Sequence, residues 1–412
     1  MSYLAFLREN LRWLAGGFLL TFFSSFGQTF FISLSSGSIR AEYGLSHGEF
    51  GSVYMLATLA SAVLLSQVGK IVDFMSVSRV TLIIIPLLAL FTVFMAIVDN
   101  LALLVLTIFG LRLFGQGMMT HNAITAMGRW YVAQRGRAVS VATLGHQAGE
   151  AVLPIIYVSI VAGVGWRNTW LLAALVLMVV ALPVIYGLMR VERQPRSTDG
   201  EEVNTAPRHW TRSEVLRDPI FWLILVGILA PGFIGTTIFF HQVYLVELRG
   251  WSLEVFAGSF VLMALMTICF ALIGGLLVDR FSATRLLAFF LLPLALSCFL
   301  MAGVEAQWGV FVFMALLGVS YGISSTLFGA LWPEIYGTRH LGSVRAVVIA
   351  LMVFSTAMGP GVTGFLIDFG VHYPAQIFVM GLYCLAISVV MAVASTLVMK
   401  RNSVLAADAG AQ

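Results

Sequence analysis

Long stretches of this chain carry no charge, and that limits its possible folds more than any motif does. Residues 80–98 hold no Asp, Glu, Lys or Arg, and several other runs come close. Across 412 residues 60% are hydrophobic and 10% charged, whereas a soluble domain carries about a quarter charged residues. Hydrocarbon offers no partner to open backbone groups, so each run must be a helix of ~20 residues. Twelve spans result, at 11–36, 46–68, 80–98, 101–126, 138–163, 168–189, 219–246, 252–277, 285–303, 307–332, 344–369 and 374–399. The first run is too long for a signal-peptide core and lacks a convincing cleavage site, so it reads as a retained helix.

Basic residues set the orientation, because Lys and Arg stay on the cytoplasmic side. With both termini inside, 19 of the 23 fall on cytoplasmic segments. Arg40, Arg167 and Arg249 fall outside, and Arg112 remains within a span. The formal charge of +4 thus reflects topology and implies no nucleic-acid partner. Cys269, Cys298 and Cys384 lie in spans, at spacings that suit neither a disulfide framework nor zinc. No metal or other cofactor is expected, and a monomer is.

The one long polar interruption, near 190–217, divides the spans six and six. It holds Arg193, Pro195, Ser197, Asp199, Gly200, Glu201 and Glu202, a linker composition. The expected organisation is a bundle at 1–190, a cytoplasmic linker at 191–217, a second bundle at 218–402 and a tail at 403–412. A repeat at fixed offset supports it. Gly44-Leu45-Ser46 returns as Gly250-Trp251-Ser252, Phe50 as Phe256, Gly69-x-x-x-Asp73 as Gly275-x-x-x-Asp279, and Arg79 as Arg285, every pair 206 residues apart.

This Gly-x-x-x-Asp…Arg signature resembles the major facilitator superfamily, whose two six-helix bundles carry it after their second and eighth helices. The resemblance implies a twelve-helix all-α membrane fold that works as a transporter and not as an enzyme. It also implies gating loops at Asp73, Arg79, Asp279, Arg280 and Arg285. The family pattern continues with Arg and then Gly, whereas this chain has Phe74 and Ser76 in the first copy, and Arg280 and Ser282 in the second. Arg112-x-x-Gly115-x-Gly117, Gly145-x-x-x-Gly149 with Pro154, and Met358-Gly359-Pro360-Gly361 with Gly364 match further family motifs. Arg129-Trp130-Tyr131 with Arg135-Gly136-Arg137, and Leu216-Arg217-Asp218-Pro219-Ile220-Phe221-Trp222, are similar to the monocarboxylate and oxalate–formate exchanger branch. That branch holds its anion with basic residues at places that here fall near Ala271 and Leu351, so a dicarboxylate is disfavoured.

Ionisable groups inside spans are costly and mark function by default. Arg112 lies ~16 Å into span four, where it can hold a carboxylate or satisfy backbone carbonyls. Glu150 lies ~20 Å into span five, where it can carry protons or pair permanently with Arg112. His146 shares its helical face, one turn away. Gln28, His241 and Gln242 are candidate hydrogen-bonding groups, since the resemblance puts the first and seventh helices on the central cavity, and Tyr321 in span ten is a similar candidate. His121 and Asn122 suit either a gate or an interface anchor. The expected function is alternating-access transport of a small organic solute, monocarboxylate-like, coupled to protons, in a bacterial inner membrane. The alternative is a proton-driven exporter of apolar drugs or metabolites, suggested by the weakly charged second half.

Overall fold

The structure, a computed structural model, describes residues 3–131, 134–193, 210–337 and 340–410. All regular structure among them is helical. In chain order the helices are α1 (Tyr3–Phe23), α2 (Ser36–Tyr43), α3 (His47–Val68), α4 (Val77–Ile97), α5 (Leu101–Gly110) and α6 (Thr120–Trp130). They continue as α7 (Arg135–Val176), α8 (Leu182–Met189), α9 (Pro219–Phe240), α10 (Gln242–Arg249), α11 (Leu253–Phe281) and α12 (Ala283–Leu286). The last four are α13 (Leu292–Gly303), α14 (Gly309–Tyr336), α15 (Leu341–Asp368) and α16 (Tyr373–Gly410). Among the described residues nine helical stretches are long and apolar enough to cross a membrane. They become ten when Ala5–Gly27 and Thr29–Tyr43, which meet at 44°, count as one bent span. The 54-residue stretch Gly136–Met189 is broken at Gly165, whose φ of 80° no helix contains.

The chain forms two compact units. One comprises Met1–Glu201, Phe239–Phe260 and Pro360–Phe365; the other comprises Glu202–Ile238, Val261–Gly359 and Leu366–Gln412. In the first, α1 packs between α7 and the α5–α6 segment through backbone contacts that only glycine permits. A Cβ on Gly145 would lie 1.9 Å from the Phe18 carbonyl oxygen, and one on Gly149 would lie 2.1 Å from Ser25 Oγ. On the other side, Gly27 and Gly115 press backbone to backbone, a Cβ on either meeting the other's Cα within 2.7 Å or nearer atoms still. Small residues allow this approach where lipid supplies no hydrophobic drive to pack helices. Thr21 Oγ1 adds a hydrogen bond to the Ala142 carbonyl.

The 206-residue repeat reappears as paired local devices. Gly44 and Gly250 end α2 and α10 with φ of 63° and 65°. Ser46 accepts from Glu49 N at 3.1 Å, and Ser252 from Val255 N at 3.4 Å. Ser76 and Ser282 cap α4 and α12 by accepting from Arg79 N and Arg285 N. A carboxylate then serves the first amide of each helix. Glu192 takes Val77 N at 3.0 Å, while Glu334 takes Ala283 N at 2.8 Å and Thr284 N at 3.2 Å. Acids placed at helix N-termini gain from the orphan N–H groups and the dipole. In the second unit Asp218 caps α9 through Ile220 N and holds both Tyr336 Oη (2.9 Å) and Arg401 (2.5 Å).

Candidate functional site

α1 stops at Phe23, gives way to a 3-10 turn at Ser24–Gly27, and turns extended at Gln28 (φ −87°, ψ 154°) before the helical turn Thr29–Ile32. Irregular backbone at membrane depth persists only where protein satisfies its polar groups. Two of the sequence candidates do so. Arg112 Nη1 donates to the Gly27 carbonyl at 3.3 Å, and Gln242 Nε2 donates to the Phe30 carbonyl and to Ser33 Oγ, both at 2.8 Å. Ser33 Oγ in turn donates to the Phe239 carbonyl at 2.6 Å.

Arg112 lies in a π-helical stretch, Leu111–Met119, which widens the helix opposite the α1 break. It is 2% exposed. Nη1 also donates to Thr29 Oγ1 at 3.3 Å, and the Thr29 and Tyr54 hydroxyls share a hydrogen bond of 2.5 Å. The guanidinium carbon stands 5.3 Å from the Tyr54 ring centroid, a cation–π contact. Thr29 and Tyr54 were not evident in the sequence as site residues. No periodic pattern reports a contact made across two helices.

Glu150 is 4% exposed. Among the described residues no hydrogen bond joins its carboxylate to another group, and no ion pair reaches it or Arg112 within 4.0 Å. The static Arg112–Glu150 pair is therefore not formed in this structure. Pro154 lies one turn further along α7 and has no N–H for the Glu150 carbonyl, so this position is doubly polar and doubly unserved by its helix. His146 stands against Phe30, ring centroids 6.1 Å apart. Gln28 is nearly buried at the break itself. His241 Nε2 lies 3.3 Å from the Pro360 carbonyl oxygen, and its ring is 5.9 Å from that of His47. These residues all belong to the first unit. Tyr321 belongs to the second, where its hydroxyl presses on α9 at Gly235; a Cβ there would meet it at 1.6 Å.

His121 Nε2 lies 3.2 Å from the Gly69 carbonyl oxygen, and Asn122 donates to the Val77 carbonyl and Thr81 Oγ1. His121 thus ties α6 to the end of α3, and Asn122 ties it to the start of α4. Of the loop residues, Asp279, Arg280 and Arg285 are exposed, and no ion pair joins them among the described residues. Arg79 is exposed too, and the Asp73 side chain lies outside the described residues. The acids that serve these loops are Glu192 and Glu334, again invisible to spacing because their partners are backbone amides far along the chain.

The architecture has counterparts. A family model for the Major Facilitator Superfamily matches residues 17–360. The chain belongs to that superfamily. It is thus a multi-pass membrane protein of a transporter family whose members take small-molecule substrates, and the family is not an enzyme class. Among curated proteins it is 21% identical over 344 residues to an uncharacterized MFS-type transporter, YhjX, of Escherichia coli strain K12, covering 82% of this chain and 84% of that one. It is 24% identical over 276 residues to the probable sulfoacetate transporter SauU of Cupriavidus necator, covering 64% of each. Among solved structures it is similar to a bacterial homolog of the human lysosomal transporter Spinster. The inward-facing unoccupied form matches with a TM-score of 0.67 at 16% identity over 95% of both chains. The occupied form matches with 0.66 at 16% identity, covering 100% of this chain and 96% of that one.

Proposed function

We propose that the protein is a secondary active transporter of a small, monocarboxylate-like organic anion, driven by the proton gradient through alternating access. One observation carries the reading. Among the described residues, a buried arginine without an acid partner and a buried carboxylate without a hydrogen bond or ion pair lie in one helical unit. An isolated charge at membrane depth is retained against its cost for work it does there. Arg112 takes the substrate's anionic group, and Glu150 takes and releases the coupled proton, with His146 one turn away on the same helix. The probable sulfoacetate transporter among the relatives supports an organic anion as cargo but not its single charge, since sulfoacetate bears both a carboxylate and a sulfonate, and the Arg129–Arg137 segment supports the monocarboxylate exchanger-like branch.

The twelve-span count belongs to the same reading. It follows when the stretch broken at Gly165 is counted as two spans, and α13 with the turn before it as one. The basic residues favour cytoplasmic termini, the short loops suit a bacterial inner membrane, and in this reading the bundles at 1–190 and 218–402 are joined by a cytoplasmic linker. The test is uptake of a panel of radiolabelled monocarboxylates, sulfonates and uncharged apolar solutes into proteoliposomes, with and without an imposed pH gradient. Anion uptake accelerated by the gradient and insensitive to it in Glu150→Gln is expected. Selective movement of apolar solutes would favour an exporter instead, and normal gradient-driven flux in Glu150→Gln would remove that residue from the coupling.

A further inference from the structure

The Arg112 guanidinium has two edges, and the structure uses only one. Nη1 is spent on the Gly27 carbonyl and Thr29 Oγ1, and one face is covered by the Tyr54 ring. Nε is fully buried without a hydrogen-bond partner, and Nη2 makes no hydrogen bond to a described residue. A buried charged N–H without an acceptor is costly. Arginine can neither shed its proton nor turn freely here, because Thr29 and Tyr54, bonded to each other at 2.5 Å, fix the opposite edge. The Nε–Nη2 edge is the fork that binds two oxygens of one oxyanion in parallel.

We infer that the Nε–Nη2 edge of Arg112 is a receptor for a single terminal oxyanion, carboxylate or sulfonate, and that Thr29 and Tyr54 are positioning residues that aim it. The inference rests on the reading that Arg112 binds the transported anion. It narrows the substrate class to molecules with one anionic group. Among the described residues Arg112 is the one Lys or Arg that is fully buried, the others in apolar helices sitting near helix ends or breaks, so a second oxyanion on the same molecule would be buried without a counter-charge. Tyr54 is fully buried and Thr29 is 8% exposed, so neither is free to serve as a surface contact instead.

The test uses the full chain in proteoliposomes, with initial uptake rates of radiolabelled lactate and ethanesulfonate and with succinate as competitor. Arg112→Lys keeps the charge but loses the fork, so KM rises about 10-fold or more for both probes. Tyr54→Phe and Thr29→Val let the fork wander. KM rises about 5-fold or more while kcat stays within about 2-fold, and Thr29→Ser restores wild-type KM because it keeps the hydroxyl. Succinate competes about 10-fold less well than lactate. A merely structural role would lower folded yield or kcat and leave KM alone. Where yield falls, the upward thermal shift that ethanesulfonate gives the purified wild type serves as second readout, and it should shrink in Tyr54→Phe. Saturable anion uptake by wild type with unchanged KM in Tyr54→Phe and Thr29→Val overturns the positioning role while leaving the transport reading intact. Wild-type KM in Arg112→Lys, or succinate competing as well as lactate, overturns the single-fork receptor. If wild type takes up neither probe saturably, the transport reading itself falls and takes this inference with it.

Discussion

Gly145→Ala puts one methyl group where the structure has no room for it. The added Cβ would lie 1.9 Å from the Phe18 carbonyl oxygen and 2.3 Å from Thr21 Oγ1. Carbon and oxygen approach comfortably to about 3.3 Å, so α1 and α7 must part locally by roughly 1.4 Å. The Phe18 carbonyl is part of the α1 backbone and cannot swing aside, and the same shift pulls Thr21 from the Ala142 carbonyl. Overpacking of this kind costs about 1–3 kcal/mol. The better helix propensity of alanine returns about 1 kcal/mol, leaving a net loss of up to about 2 kcal/mol. At about 2–4 °C per kcal/mol for a unit of some 200 residues, Tm should fall by up to about 8 °C. The control is Gly163→Ala on the same helix, where a Cβ meets nothing within 4 Å and only the propensity gain applies. Thermal unfolding of the detergent-purified pair gives the comparison. A Gly145→Ala protein that melts at or above Gly163→Ala would refute the close α1–α7 packing.

Three other outcomes follow from the contacts. Ser282 holds φ of 74° with ψ of 152°, a region occupied readily only by glycine, and its cap to Arg285 N is long at 3.5 Å, so Ser282→Gly should raise Tm, the strain relieved being about 1–3 kcal/mol. Asp218→Asn removes the charge facing Arg401, whose side chain is only 18% exposed, and should cost about 1–3 kcal/mol in a melt of the same protein. Glu42→Gln should cost less than about 1 kcal/mol, because the Glu42–Arg167 pair is exposed. Arg167→Ala should cost more in the same assay, since Arg167 also serves the Ala96 and Val98 carbonyls at the end of α4.

The spans were legible because hydrocarbon leaves the chain no alternative to helices. The expected 46–68 and 101–126 correspond to His47–Val68 and to the continuous Leu101–Trp130. The expected single helix at 11–36 was not kept intact. Its backbone breaks at Ser24–Gln28, where Gly27 must meet Gly115 and where Arg112 satisfies the Gly27 carbonyl, with Gln242 serving Phe30 in the turn that follows. Apolarity alone says nothing of such a break, since every face of a membrane helix is apolar. Arg112 and Glu150 stood out as charges where charge is expensive. Thr29, Tyr54, Glu192 and Glu334 did not, because small polar residues are common in spans and acids are common at their ends. Their meaning lies in backbone and side-chain partners 25 to 115 positions away.

The proposed coupling of protons through Glu150, buried and without a partner among the described residues, to an anion held by Arg112 is read out by a pH-reporting dye sealed in proteoliposomes to which ethanesulfonate is added. That anion stays ionised, so it cannot carry protons across the lipid as a neutral acid. An ethanesulfonate-dependent change of internal pH is expected in wild type and is absent from protein-free vesicles, from Arg112→Gln and from Glu150→Gln. Ethanesulfonate uptake in wild type with no accompanying proton movement, or an undiminished pH change in Glu150→Gln, would contradict it.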